Sequence, residues 1–297
     1  STLPDREGGT MEEAMLVKVS GENINPQKKI SQEELECIDQ AKHEIFEFNR
    51  ECQLLDYVNE NYNSFLRELR NKVNGHYNSG EVVTPFIYDE FIRFINRSLL
   101  NLLTSMRTMT DHLEARVKRT YGSESEEWKA LKKLLSHAFD NEFSYCFASK
   151  LRNFVQHVGM PPIHFSLDDK FESTHIESHV KLEFSRDELL NSYDSWGAIV
   201  KPRLQAQAEF FCVFEIIEKL VNSLFDIYAQ FKKETSLPKV QEARDYILQL
   251  INEPQGYVYN EYAVGYFDKG DGNKLSIRLS WLPATLFEKL DLIEQHL

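Results

Sequence analysis

The sequence predicts a mainly α-helical chain with a smaller α+β part: a helical bundle followed by further helices and a small antiparallel sheet. Three observations carry this. Residues 84–122 (TPFIYDEFIRFINRSLLNLLTSMRTMTDHLEARVKRTYG) repeat apolar residues at Phe91, Ile95, Leu99, Leu102, Met106, Met109, Leu113 and Val117. Every step is three or four, which makes one face of a long amphipathic helix. The composition changes after Ile163, where HIESHVKLEF (175–184) has the pattern of a strand. Finally, YVYNEYAVGYF (257–267) and KLSIRLSWL (274–282) flank DKGDGN and predict a hairpin.

Taken in order, residues 1–28 form a polar N-terminal arm with one short strand at AMLVKVS (14–20). Helix starts at Ser31, where SQEE places a Glu three residues after a Ser, the capping-box pattern. Helical periodicity runs to about Lys72, as one or two helices, and NGHYNSGE (74–81) predicts a break with His76 in a turn. Pro85 suits the first turn of the long helix and Gly122 its exit. SESE (123–126) resembles a second capping box, opening a helical region that ends at Val158-Gly159; Pro161 and Pro162 forbid a restart. SRDE (185–188) is a third box, and helices are expected at 205–233, 238–252 and 284–296. The expected division is an arm (1–28), a helical bundle (29–163) and an α+β C-terminal region (164–297).

Composition bounds the function. A chain of 297 residues, 42% hydrophobic and 27% charged, is ordinary for a globular protein. No apolar run approaches the roughly 18–20 residues that cross a bilayer, so no membrane role is expected. The opening STLPDREGGTMEE lacks the basic start and apolar stretch of a signal peptide. Cys37, Cys52, Cys146 and Cys212 are scattered without a C-x-x-C pair, which argues against a zinc site or a disulfide scaffold and for a reducing cytoplasm. His164, His175 and His179 lie among acidic residues, but HIESH lacks the HExxH spacing, and GDGNK lacks a Walker pattern. No metal or cofactor is expected. The net charge of −13 disfavours a nucleic-acid coat, yet residues 84–160 carry 11 Lys+Arg against 9 Asp+Glu.

The least acidic part of the chain holds SKLRNFVQHVGMPP (149–162). At about 100° per residue, Phe143, Phe147, Leu151, Phe154 and Val158 form an apolar stripe. Lys150, Asn153 and His157 form a polar stripe, and Arg152 shares a third face with Gln156. Arg152 and His157 are about 140° apart, so they meet only if the last turn is distorted, the Arg curls round, or a second chain supplies one of them. Their chemistry suits RNA cleavage by 2′-OH attack. A His moves protons near neutral pH, and an Arg offers a fork of donors to phosphate oxygens. The candidate catalytic residues are therefore Arg152, His157 and Asn153, with Lys150, Arg107 and His112 as candidate substrate contacts. RTMTDH (107–112) repeats the spacing without the Asn, and LRNKVNGH supplies a rival copy in Arg70, Asn71 and His76. Arg97, Asn101, Thr104, Thr108 and Asp111 line one side of the long helix, either as a solvated face or as part of a site.

RNFVQH resembles the R-(N/D/H)-x3–5-H signature of the HEPN superfamily (higher eukaryotes and prokaryotes nucleotide-binding), over roughly residues 84–163. The resemblance implies a helical bundle that dimerises and acts as a metal-independent endoribonuclease. It further implies an RNA substrate and a bacterial antiviral-defence or toxin–antitoxin setting, with a cognate antitoxin or defence protein as partner. The alternative is the same fold without catalysis, binding a protein partner. The strongly acidic remainder favours that alternative.

Overall fold

A computed structural model describes residues 13–171, 176–252, 261–269 and 275–297. The chain is mainly α with a smaller α+β part. In order the elements are β1 (Glu13–Ser20), β2 (Asn23–Lys29), α1 (Gln32–Ser79), α2 (Pro85–Tyr121), α3 (Glu126–Asn141) and α4 (Phe143–His157). They continue as β3 (Ile163–Phe171), β4 (Ile176–Ser185), α5 (Arg186–Ser192), α6 (Gly197–Gln205), β5 (Phe210–Cys212) and α7 (Val213–Lys233). The last are α8 (Leu237–Ile251), β6 (Tyr262–Lys269), β7 (Leu275–Trp281), a 3-10 turn (Ala284–Leu286) and α9 (Phe287–Glu294). Two compact units result. One is the described part of Ser1–Glu51 with Lys232–Gln295, and the other comprises Cys52–Phe231 with His296–Leu297.

The first unit holds an antiparallel sheet in the order β2-β1-β6-β7. Leu16 pairs with Val264 and Val17 with Ala263, so strands from both ends of the chain share one buried centre. The N-terminal segment thus contains two strands where the sequence suggested one. β6 and β7 pair as the hairpin pattern predicts, while their connecting DKGDGN turn falls largely outside the described residues. Ile38, Ile45 and Phe48 of α1, Val240 and Ile247 of α8, and Phe287 and Leu290 of α9 are buried here. Ser31 caps α1 in both directions: its Oγ accepts from the Glu34 N–H at 3.1 Å, and its own N–H donates to Glu34 Oε2 at 3.0 Å.

The second unit carries the candidate site. α2 starts where Thr84 Oγ1 accepts from the Ile87 N–H at 3.3 Å, with Pro85 behind it. It stops at Gly122, whose φ of 97° is glycine territory. α1 departs from expectation, since no break interrupts it at residues 74–79 and His76 is helical. Leu69 and Val73 extend the buried stripe of Leu55, Val58 and Phe65, and that burial outweighs the roughly 1 kcal/mol cost of a mid-helix Gly75. The chain turns only at Gly80, with φ of 66°. α3 is capped by Ser125 rather than Ser123, because Ser125 Oγ accepts from the Trp128 N–H at 3.1 Å. The helix expected over 205–233 begins only at Val213, because Phe210–Cys212 are taken up as a strand against β4.

α4 is fixed by aromatic packing. Phe147 stacks on Trp196 at 5.6 Å and meets Phe184 and Phe211 edge-on. The Trp196 indole N–H donates to the Leu189 carbonyl at 3.2 Å, satisfying a fully buried ring. Phe154 stacks on the same indole at 5.8 Å. These contacts press one side of α4 against α6 and the β3-β4-β5 sheet.

Candidate functional site

α4 buries Phe147, Leu151 and Phe154, as the apolar stripe requires. Val158, expected to extend that stripe, is 47% exposed because it lies past the last helical turn. Gly159 then takes φ of 138° and the chain leaves toward β3.

Arg152 is half-buried, and its Nη1 donates to Gln156 Oε1 at 3.0 Å. No carboxylate pairs with it among the described residues. Asn153 is half-buried and His157 is exposed. Nothing joins Arg152 to His157, as expected for residues about 140° apart on a regular helix. The two sides of α4 look at different neighbours. On a regular helix Tyr145, Ser149, Arg152 and Gln156 fall within about 60° of each other. Tyr145 shows where that face points. Burial pushes its hydroxyl up to about 12; Glu114 adds to the shift, Arg107 opposes it, and Asp111 contributes, all three from α2. The opposite polar stripe turns to α6: a Cβ built on Gly197 would lie 3.5 Å from Lys150 Cε.

The sequence candidates therefore separate into two groups. Arg152 lies on the side of α4 that faces α2, the helix that carries Arg107, whereas Lys150, with Asn153 and His157 on its stripe, belongs to the α6 side. Arg107 is ion-paired to Asp111 at 2.8 Å. His112 is exposed, about 140° round α2 from Arg107. In the rival copy, Arg70 and Asn71 are exposed, while His76 is half-buried and edge-on to Phe91 at 6.2 Å. His76 serves packing, and about 120° separates it from Arg70.

Other chemistry finds less support. Cys146 is fully buried, and burial pushes its thiol up although the Arg203 guanidinium works the other way, so it is poorly suited to act as a nucleophile. His164 is occupied by Glu188 at 3.0 Å and by the edge of Phe210. His175 and the His179 side chain lie outside the described residues. Among the described residues no three His, Cys, Asp or Glu gather as metal ligands, and no helix is long and apolar enough to cross a membrane.

One feature escaped the sequence. A cleft of about 550 Å³ lies between α1 and α2, lined by Tyr57 and Asn61 on one helix and by Asn101, Thr104 and Thr108 on the other. The α2 half was legible as a polar side. The α1 half was not, because only the packing of the two helices reveals which residues of α1 meet it. No protein-family model, curated protein or solved structure matches the chain.

Proposed function

We propose that the protein is a HEPN-like, metal-independent endoribonuclease whose cleavage centre is completed by a second copy of the chain. The observation that carries this is Arg152: half-buried, hydrogen-bonded to Gln156, and without a carboxylate partner among the described residues, in a chain with 47 Asp+Glu. A guanidinium kept unneutralised in such a chain is suited to an anionic ligand. His157, on the other side of the same helix, is exposed and stands in its last turn. Two α4 helices side by side would bring the Arg152 of one copy to the His157 of the other. There, Arg152 binds the non-bridging phosphate oxygens while His157 transfers a proton as the ribose 2′-oxygen attacks phosphorus and the 5′-oxygen leaves. The products are a 2′,3′-cyclic phosphate and a 5′-hydroxyl. Asn153 orients His157 or the scissile nucleotide. The resemblance supports a role in bacterial defence or a toxin–antitoxin pair.

The test is incubation of the protein with single-stranded and structured RNA in EDTA, beside Arg152→Ala and His157→Ala. Cleavage leaving cyclic-phosphate ends, lost in both variants, is expected. Wild-type cleavage that survives both substitutions would sink the assignment of these residues.

A second function, as a non-catalytic binding protein, draws on a different observation. At the α1–α2 turn Val82 is 82% and Phe86 68% exposed, with Val83, Tyr77 and Tyr88 also exposed nearby. Apolar side chains clustered in this way favour a protein partner. An RNA-inert wild-type chain that stays intact and folded would move the assignment to this function.

A further inference from the structure

We infer that the cleft between α1 and α2 is a base-binding site for an unpaired RNA nucleotide, a subsite that rests on the ribonuclease function proposed above. Its volume of about 550 Å³ lies in the range of small-ligand sites. Tyr57, on its wall, is 46% exposed and offers a ring face for stacking. The Asn61 and Asn101 carboxamides and the Thr104 and Thr108 hydroxyls line the same cleft, and their side chains have no hydrogen-bond partner among the described residues. Each carboxamide carries both donors and an acceptor, which is what the edge of a base requires. Among the described residues Glu60 is the one charged side chain lining the cleft. A phosphate would find no cation inside, so the base enters and the sugar–phosphate backbone stays outside.

Position ties the cleft to Arg152. On α2, Thr104 and Arg107 are neighbours at i, i+3. Arg107 lies within electrostatic reach of Tyr145 on α4, and the face of α4 that carries Tyr145 also carries Arg152. A strand with one base in the cleft would run past Arg107 toward the face of α4 that carries Arg152.

The test uses the full chain carrying His157→Ala, to prevent turnover, and fluorescein-labelled homopolymeric RNA oligonucleotides in EDTA, read by anisotropy. Adding Tyr57→Ala is expected to weaken binding about tenfold, and Tyr57→Phe to preserve it. Adding Asn101→Ala is expected to change the ranking of the four homopolymers. The share of the affinity lost in Tyr57→Ala should vary little with salt, because the cleft holds a base rather than phosphates. Unchanged affinity in both Tyr57→Ala and Asn101→Ala would overturn the subsite, and cleavage by wild type in a parallel assay would then leave the ribonuclease function standing. Binding that depends on Tyr57 without any wild-type cleavage would keep the subsite and remove the nuclease. If Tyr57→Ala instead splits a dimer in sedimentation while RNA affinity is unchanged, the cleft is a contact between copies and the subsite is wrong.

Discussion

Phe147 illustrates how single residues set the site. Its ring lies among Trp196, Phe184 and Phe211 and is fully buried. Truncation to Ala loses that packing and leaves a cavity, so Phe147→Ala is expected to cost about 3–5 kcal/mol in urea unfolding. Loss of activity there would follow from loss of the α4 platform. Arg152 differs, because its one hydrogen bond is to a neighbour on its own helix. Arg152→Ala should remove cleavage while shifting stability by no more than about 0.5 kcal/mol. A melting temperature far below wild type would mean that Arg152 holds the fold rather than the substrate. The Arg152–Gln156 pair was legible in the sequence, since i, i+4 spacing places both on one face. The orientation of that face toward Arg107 was not, because it depends on how α4 packs against α2, and no local signal encodes that.

At the scale of elements, the best-read helix is the one with the clearest punctuation. Thr84, Pro85 and Gly122 bound α2 where the sequence placed them. Thr84→Ala should cost about 1 kcal/mol by leaving the first-turn donors unsatisfied. α1 departs from its sequence pattern for a related reason: Asn74, Gly75 and Asn78 look like a turn, but buried Leu69 and Val73 hold the helix through them. Gly75 is mid-helix with open space where a Cβ would project. Gly75→Ala is therefore expected to stabilise the protein by about 0.5–1 kcal/mol in thermal or urea unfolding, whereas a true turn glycine would make it destabilising. β2 and β5 were illegible for a different reason. β2 is a polar, Pro-containing strand with a largely exposed face, and β5 is only three residues long, so neither carries an alternation that could be recognised.

For the molecule as a whole, the fold class was legible because it depends on summed periodicity, while the assembly of the sheets depends on distant pairing. β1 and β6 lie far apart in sequence, and nothing local says that they share a ladder. Burial raises the Glu294 carboxyl, but hydrogen bonds from Arg244 and Gln241 outweigh it and hold the group below its ordinary 4.5. Arg244 also reaches Asp291 at 3.1 Å. A carboxylate depressed in the folded state contributes its full stability above its unfolded pKa and loses it as pH falls through the lower folded value. Arg244→Ala should therefore lower the unfolding midpoint at neutral pH, with the gap from wild type closing as pH falls below the ordinary carboxylate value of 4.5 and through the lower folded value. A gap that stays constant over that range would show that packing of the Arg244 stem, not its charge, carries the effect.

In the proposed function Arg152 and His157 act on RNA from different copies of the chain. The most direct test mixes Arg152→Ala with His157→Ala and measures RNA cleavage in EDTA. Each variant alone should be silent, and the equimolar mixture should recover about a quarter of wild-type activity, because half the dimers are mixed and each then holds one intact pair. A mixture that stays silent while wild type cleaves would contradict the shared centre and place both residues in the same chain.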